Sequence, residues 1–173
     1  TVDGAAFAHA VAQVTVAASK DDTLPILTGV RVEVDGERMT LLATDRYRLA
    51  MRELTWSPSN TELSTTALLK ARTLSDVAKS LTSSGDVTVA LSSESAASSL
   101  IGFEAGGRRT TSLLTDGDYP PVRRLFPEST SIHATVGTDE LMAAVRRVSL
   151  VADRNAQLRM HFQEGELTLF SSG

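Results

Sequence analysis

The chain has 173 residues, 42% hydrophobic but only 5% aromatic, with a net charge of −4 and no cysteine. That length fits one domain, or one domain and part of another, around a core of Val, Leu, Ile and Ala. The cysteine count excludes disulfides and thiolate metal sites and fits a reducing compartment. No apolar run approaches the roughly 18 residues of a membrane helix, and no basic-then-apolar leader opens the chain. The negative charge excludes a uniformly basic coat but not a local basic face. A soluble, cytoplasmic protein is expected.

Phe7, Ala10, Val11 and Val14 recur at helical spacing and predict an amphipathic helix from Gly4 to about Ser19, with Asp3 as its cap. Lys20 to Pro25 is a polar link. Val30, Val32 and Val34 alternate with Arg31 and Glu33 as in a strand, Asp35-Gly36 signals a turn, and Met39 to Ala43 returns. The run Leu41 to Leu54, LLATDRYRLAMREL, then reads as two strands joined by a charged corner. Met39, Leu41 and Ala43 point one way, and Thr40, Leu42 and Thr44 the other. At the corner, Thr44 and Asp45 have side chains able to bond nearby backbone. Tyr47, Leu49 and Met51 then alternate against Arg46, Arg48 and Arg52. Guanidinium groups beside Leu and Tyr suit a surface that grips an extended peptide better than a core. Glu53 to Asn60, with the only Trp and Pro58, reads as a connection.

The pattern repeats. Ser64 to Leu69 predicts a strand, and Ala71 to Leu81 a helix with Leu74, Val77, Ala78 and Leu81 on one face. Val87 to Leu91 is a strand, Ser92 to Ser99 a loose loop, and Leu100 to Glu104 and Thr110 to Leu114 are strands around Gly106-Gly107. Asp118 to Pro127 holds three prolines and two arginines and reads as an ordered loop or linker. A third pass follows. At an offset of 134, Thr1-Val2 matches Thr135-Val136, and Phe7, Ala10, Val11, Val14 and Val16 match Leu141, Ala144, Val145, Val148 and Leu150. At 128, Val30 to Val32 match Leu158 to Met160, and Met39 to Leu41 match Leu167 to Leu169. Gly173 falls where Asp45 stands in the first copy, so the third unit stops halfway, and such a half-unit cannot bury its apolar face alone. A portion of a longer protein is expected.

Catalytic signals are sparse. His9 reads as a helix-surface residue, and His133 and His161 fall on predicted strands, none at metal-ligand spacing. There is no nucleophile elbow and no P-loop, and Asp21-Asp22 and Asp116/Asp118 read as a link and a turn.

The segments TLPILTGVRVEV, LLATDRYRLAMREL, DYPPVRRLFP and LVADRNAQLRMHF together resemble the bacterial DNA polymerase III β subunit, the sliding-clamp family, whose pattern includes a T-D-x-x-R-L-A corner and a Pro-Arg-apolar-Pro loop. The resemblance implies an α+β DNA-clamp fold: repeated helix-plus-strands halves with helices on one face of antiparallel sheets. Residues 1–129 would be the clamp's middle domain and 130–173 the first half of its C-terminal domain. The implied function is a non-catalytic processivity factor, without cofactor or metal, that closes as a homodimeric ring around duplex DNA. Its implied partners are DNA polymerase III, the clamp loader and repair proteins carrying short linear peptides. Carried over by position, the peptide pocket comprises Leu27, Thr44, Arg46, Tyr47, Arg48, Leu49, Pro120, Arg124 and Leu125. Many relatives have Gly-His where this chain has Arg46-Tyr47, which enlarges and charges the rim. The DNA-facing residues would be Lys20, Arg72, Lys79, Arg146 and Arg147, touching phosphates without reading bases. Two other classes fit the bare sequence: a hydrolase or transferase using Asp45 with Arg46 or Arg48, and a β-rich interaction module with no DNA role.

Overall fold

The computed structural model describes residues 1–81, 85–92, 99–153 and 156–171, in two compact units, 1–126 and 127–173. The expected loop over Ser92–Ser99 falls mostly outside the described residues, as does Gly173.

The first unit is two copies of one layout. A short strand β1 (Val2–Asp3) leads into helix α1 (Gly4–Thr15) and three strands, β2 (Gly29–Asp35), β3 (Arg38–Thr44) and β4 (Leu49–Thr55). Strand β5 (Ser64–Lys70) likewise leads into α2 (Ala71–Leu81), β6 (Asp86–Leu91), β7 (Leu100–Ala105) and β8 (Arg108–Leu113). Each leading strand joins the other copy's sheet: the orders are β4-β3-β2-β5 and β1-β6-β7-β8, all antiparallel. α1 and α2 pack together, α1 also against β3 and β4, and α2 against β5 and β2.

The periodicity of α1 explains this packing. Asp3 caps it, its Oδ1 accepting the Ala6 N–H at 2.7 Å. Phe7, Ala10, Val11 and Val14 are buried, and the Phe7 ring lies 5.9 Å from that of Phe103 on β7. The helix ends at Thr15 rather than near Ser19. Val16 is 59% exposed, and the N–H groups of Ala17 and Ala18 turn back to the carbonyls of Val14 and Thr15. α2 spans its predicted residues and buries Leu74, Val77, Ala78 and Leu81. Each of the Val, Leu and Phe side chains among them contributes about 1.5–3 kcal/mol when withdrawn from water.

Two expectations change. Glu53–Thr55 is not connection but the end of β4, pairing Thr40 to Arg38. Trp56 just beyond is buried, its Nε1–H donating to the Gly36 carbonyl at 2.8 Å. The run from Leu41 is also not a surface at its start: Leu41, Leu42, Ala43 and Thr44 are all buried. β3 is covered on both faces, by the helices on one and by the proline-bearing loop on the other. The second cover comes from residues 75 or more positions away, which the strand's own alternation could not register.

The second unit holds α3 (Thr138–Val151) and the hairpin β9 (Leu158–Gln163) and β10 (Glu166–Ser171), with α3 lying on β10. Met160 faces Leu169 and Phe162 faces Leu167 across the ladder. Asp139 and Glu140 occupy the first turn of α3, where the helix dipole favours negative charge. No described residue of α3 is buried, and Leu150 and Val151 are 85% and 84% exposed. His161 lies on β9, whereas His133 lies outside any strand.

Gly4 marks a close seam between the two copies. Its N–H donates to the Gly85 carbonyl at 2.8 Å, and a Cβ added at Gly4 would overlap that oxygen. Gly4→Ala should therefore destabilise the unit by about 1–3 kcal/mol, the usual cost of overpacking, as measured by urea unfolding; an unchanged midpoint would show that the seam relaxes.

Candidate functional site

Three segments far apart in sequence meet on the outer face of the β4-β3-β2-β5 sheet. Leu42 and Leu68 give that face an apolar centre, closed over by Tyr119 and Val122, with Ile26, Leu49, Met51 and Phe126 packed around them. The loop that supplies Tyr119 and Val122 turns through one 3-10 turn, Val122–Leu125. Asp118–Pro127 is thus an ordered loop whose first nine residues belong to the first unit. Its anchor is a hydrogen bond in which the Thr44 N–H donates to Tyr119 Oη at 2.9 Å. Ile26 reaches the same loop from the other side, lying against Gly117, whose φ of 139° suits glycine.

The corner after β3 is locked by its own side chains. Asp45 Oδ1 accepts the N–H groups of Tyr47 and Arg48, both at 3.0 Å, and its Oδ2 accepts Arg48 Nε at 3.0 Å. Thr44 Oγ1 donates to the Arg48 carbonyl at 2.7 Å and accepts the Arg46 N–H at 3.2 Å. Arg46 is thereby held at a φ of 80°, the only positive value at a non-glycine among the described residues. Desolvation would raise the Asp45 carboxyl, but the N–H groups of Arg48 and Tyr47 and the Arg48 guanidinium outweigh it and hold the group below its usual range. The carboxylate is consumed in building the corner. Among the described residues no three His, Asp or Glu side chains gather as metal ligands would.

The residues expected at the pocket are placed as follows. Thr44 is buried at the corner and Leu49 half-buried in the apolar cluster. Arg46 and Arg48 are exposed, and Tyr47 is 90% exposed. Pro120 is half-buried beside Tyr119, whereas Arg124 and Leu125 are exposed on the 3-10 turn, Leu125 by 67%. Leu27 is half-buried next to Ile26, in a loop closed by Ser19 N–H to the Leu27 carbonyl at 2.8 Å. The fold therefore carries the corner, the proline-bearing loop and the Leu27 loop to one sheet face. Lys20, Arg72 and Lys79 are exposed, Lys20 beyond α1 and the others on α2; Arg146 and Arg147 are exposed on α3 of the other unit.

Sequence reading missed the residues that hold the loop. Within the segment read as an ordered loop or linker, Tyr119 carries no periodic signal, although a buried Tyr with a satisfied hydroxyl is a common anchor. Arg123 was passed over for Arg124. Its Nη2 donates to Glu33 Oε2 at 3.2 Å and Thr40 Oγ1 at 3.1 Å, and Nη1 lies 4.0 Å from Glu53. It thus ties the 3-10 turn to β2, β3 and β4. The alternation of Glu33, Thr40 and Glu53 onto one face was the available signal.

Comparison with known proteins covers the whole chain. Residues 1–121 match the family described as DNA polymerase III beta subunit, central domain, and residues 123–173 match DNA polymerase III beta subunit, C-terminal domain. The beta sliding clamp of Micrococcus luteus is 63% identical over 98% of this chain and 54% of its own length. That of Streptomyces coelicolor is 51% identical over 98% and 45%. The chain spans about half the length of the curated relatives it matches. A solved β subunit from Streptococcus pyogenes superposes with a TM-score of 0.84 at 22% identity, over 99% of this chain and 46% of that one. The fold is accordingly the α+β fold of DNA sliding clamps.

Two pH responses follow. Burial raises the Tyr119 hydroxyl above its ordinary value, against the opposing effects of the Thr44 N–H and Arg31. The unfolded chain thus ionises first: stability from this group is complete below about pH 10 and is lost as pH rises through the folded value. Tyr119→Phe should flatten that alkaline decline in a pH series of unfolding midpoints, at the cost of an unpaired Thr44 N–H worth about 1–3 kcal/mol at neutral pH. Asp45 has the opposite sign. Its contribution is complete above about pH 4 and is lost as pH falls through its lowered folded value, so Asp45→Asn should remove part of the acid-side slope.

Proposed function

The chain belongs to the DNA polymerase III β-subunit family, and from that premise we propose that it is part of a sliding clamp, a processivity factor that holds polymerase on duplex DNA without catalysing a reaction. Residues 1–129 act as the clamp's middle domain and 130–173 as the first half of its C-terminal domain, within a homodimeric ring in the cytoplasm. A ring that slides must hold phosphates loosely and leave base edges unread. Lys20, Arg72, Lys79, Arg146 and Arg147, exposed on or beside helices, suit that task.

Polymerase, the clamp loader and repair proteins would dock through short peptides. The observation that carries this reading is the convergence of the corner and the proline-bearing loop through the Thr44–Tyr119 hydrogen bond. Leu27, Leu49, Pro120 and Leu125 offer apolar contact to such a peptide. Arg48 and Arg124 lay their stems beside it and present donors to its carbonyls or carboxylates. Thr44 fixes the corner, and Arg46 and Tyr47 form the rim. Leu125 and Tyr47, 67% and 90% exposed, offer apolar surface that a bound peptide would cover.

Two or three buried anchors supply about 3–9 kcal/mol in all, and the donors of Arg48 and Arg124 add to that while ordering the peptide subtracts, so affinity no tighter than about micromolar, near −8 kcal/mol, is expected. A fluorescent peptide of the pattern Gln-x-x-Leu-Phe should bind at that level. Leu49→Ala and Arg124→Ala should each weaken it by more than about 1 kcal/mol. Unchanged affinity in both variants would overturn the pocket assignment.

A further inference from the structure

Arg46 stands in a backbone state that disfavours any side chain, with φ at 80°. The state persists because its neighbours leave the backbone no freedom: Thr44 Oγ1 holds the Arg46 N–H, and Asp45 Oδ1 holds the two that follow. Glycine would sit there without strain, so the arginine is kept against a local penalty. The adjoining Tyr47 is 90% exposed, an unusual position for a large aromatic ring.

The charges around this tip are unevenly satisfied. Asp45 spends both carboxylate oxygens on the corner. Asp21, close enough for Arg46 to help lower its carboxyl, already accepts the Thr23 N–H at 2.9 Å and the Thr23 hydroxyl at 2.6 Å. Among the described residues the Arg46 guanidinium makes no hydrogen bond or ion pair. Among the described residues the Arg48 guanidinium is held through Nε alone, and Arg124, on the turn of the loop that Tyr119 anchors, is exposed with no hydrogen bond or ion pair. The corner thus carries one guanidinium with no hydrogen-bonded acceptor among the described residues and a second only partly satisfied, on a chain whose net charge is −4.

We propose that the Arg46-Tyr47 tip binds an acidic side chain lying just outside the apolar anchors of the partner peptide. This rests on the pocket reading above and adds to it the charge class of the ligand. The planar Arg46 fork matches a carboxylate with two parallel hydrogen bonds, and the Tyr47 ring gives the peptide backbone a flat apolar wall beside it. A phosphate of the DNA backbone is the competing ligand, and the test separates the two.

The probes are peptides with the core Gln-Ser-Leu-Leu-Phe carrying Glu-Glu before or after it, each against a Gln-Gln control, with affinity for the 173-residue chain read by fluorescence polarisation at about 50 mM and about 500 mM salt. At low salt one acidic peptide should bind about threefold to fivefold tighter than its control, the range of an exposed ion pair. The ratio should collapse to about one at high salt and in Arg46→Gly, which melts no lower than the parent because glycine accepts the φ. Equal binding of acidic and neutral peptides at low salt overturns the proposal and leaves the pocket standing. So does a ratio that survives Arg46→Gly, or an Arg46→Gly whose only loss is in duplex DNA binding. If neither core peptide binds, the pocket reading fails, and this inference fails with it.

Discussion

The placement of the proline-bearing loop on the sheet turns on a single hydroxyl. Tyr119 Oη takes the N–H of Thr44, the last residue of β3, where β4 still pairs with the strand but β2 no longer does. A buried N–H must be satisfied from somewhere. By meeting it with a side chain from a loop 75 residues away, the fold makes loop placement a condition of finishing the sheet. Val122, Leu42 and Leu68 then exclude water around that bond and strengthen it. Arg123, fixed to Glu33 and Thr40, sets the angle of the next turn. The loop carries three prolines and one 3-10 turn, and side chains rather than a ladder fix it to the sheet.

Much of this was legible beforehand, and what was not has a physical reason. The helices and strands were readable because each shows one face to the core. α2 kept its predicted bounds, and Val30, Val32 and Val34 all point inward. Periodicity failed at Leu42 and Thr44, which are buried against a loop whose apolar residues carry no period. It also failed at Trp56 and the end of β4, where Pro58 two residues on suggested a break that comes later. Resemblance carried the family and the fold, and the family matches across the chain agree with it. Neither route singled out Tyr119 or Arg123, because their importance lies in partners distant in sequence.

The charged corner shows how a locked backbone and a permissive surface coexist. Asp45 and Thr44 hold the turn mainly through backbone N–H and C=O groups, with only the Arg48 guanidinium joining from the side chains of the three residues that follow. The side chains of Arg46 and Tyr47 extend into solvent above a backbone that these hydrogen bonds hold in place. Rigid elements below and adaptable groups above are the arrangement that recognition sites reuse.

The exchange of β1 and β5 between the two sheets has a further result. Thr1 and Ser57 also trade hydrogen bonds, the Thr1 amino group to the Ser57 carbonyl and the Ser57 N–H to the Thr1 carbonyl, the latter at 2.8 Å. Severing the backbone in the exposed link near Ser59 would leave two pieces, each holding a strand that completes the other's sheet. Such pieces are built to find each other again, which makes that link a natural place to divide the first unit into a self-reassembling pair.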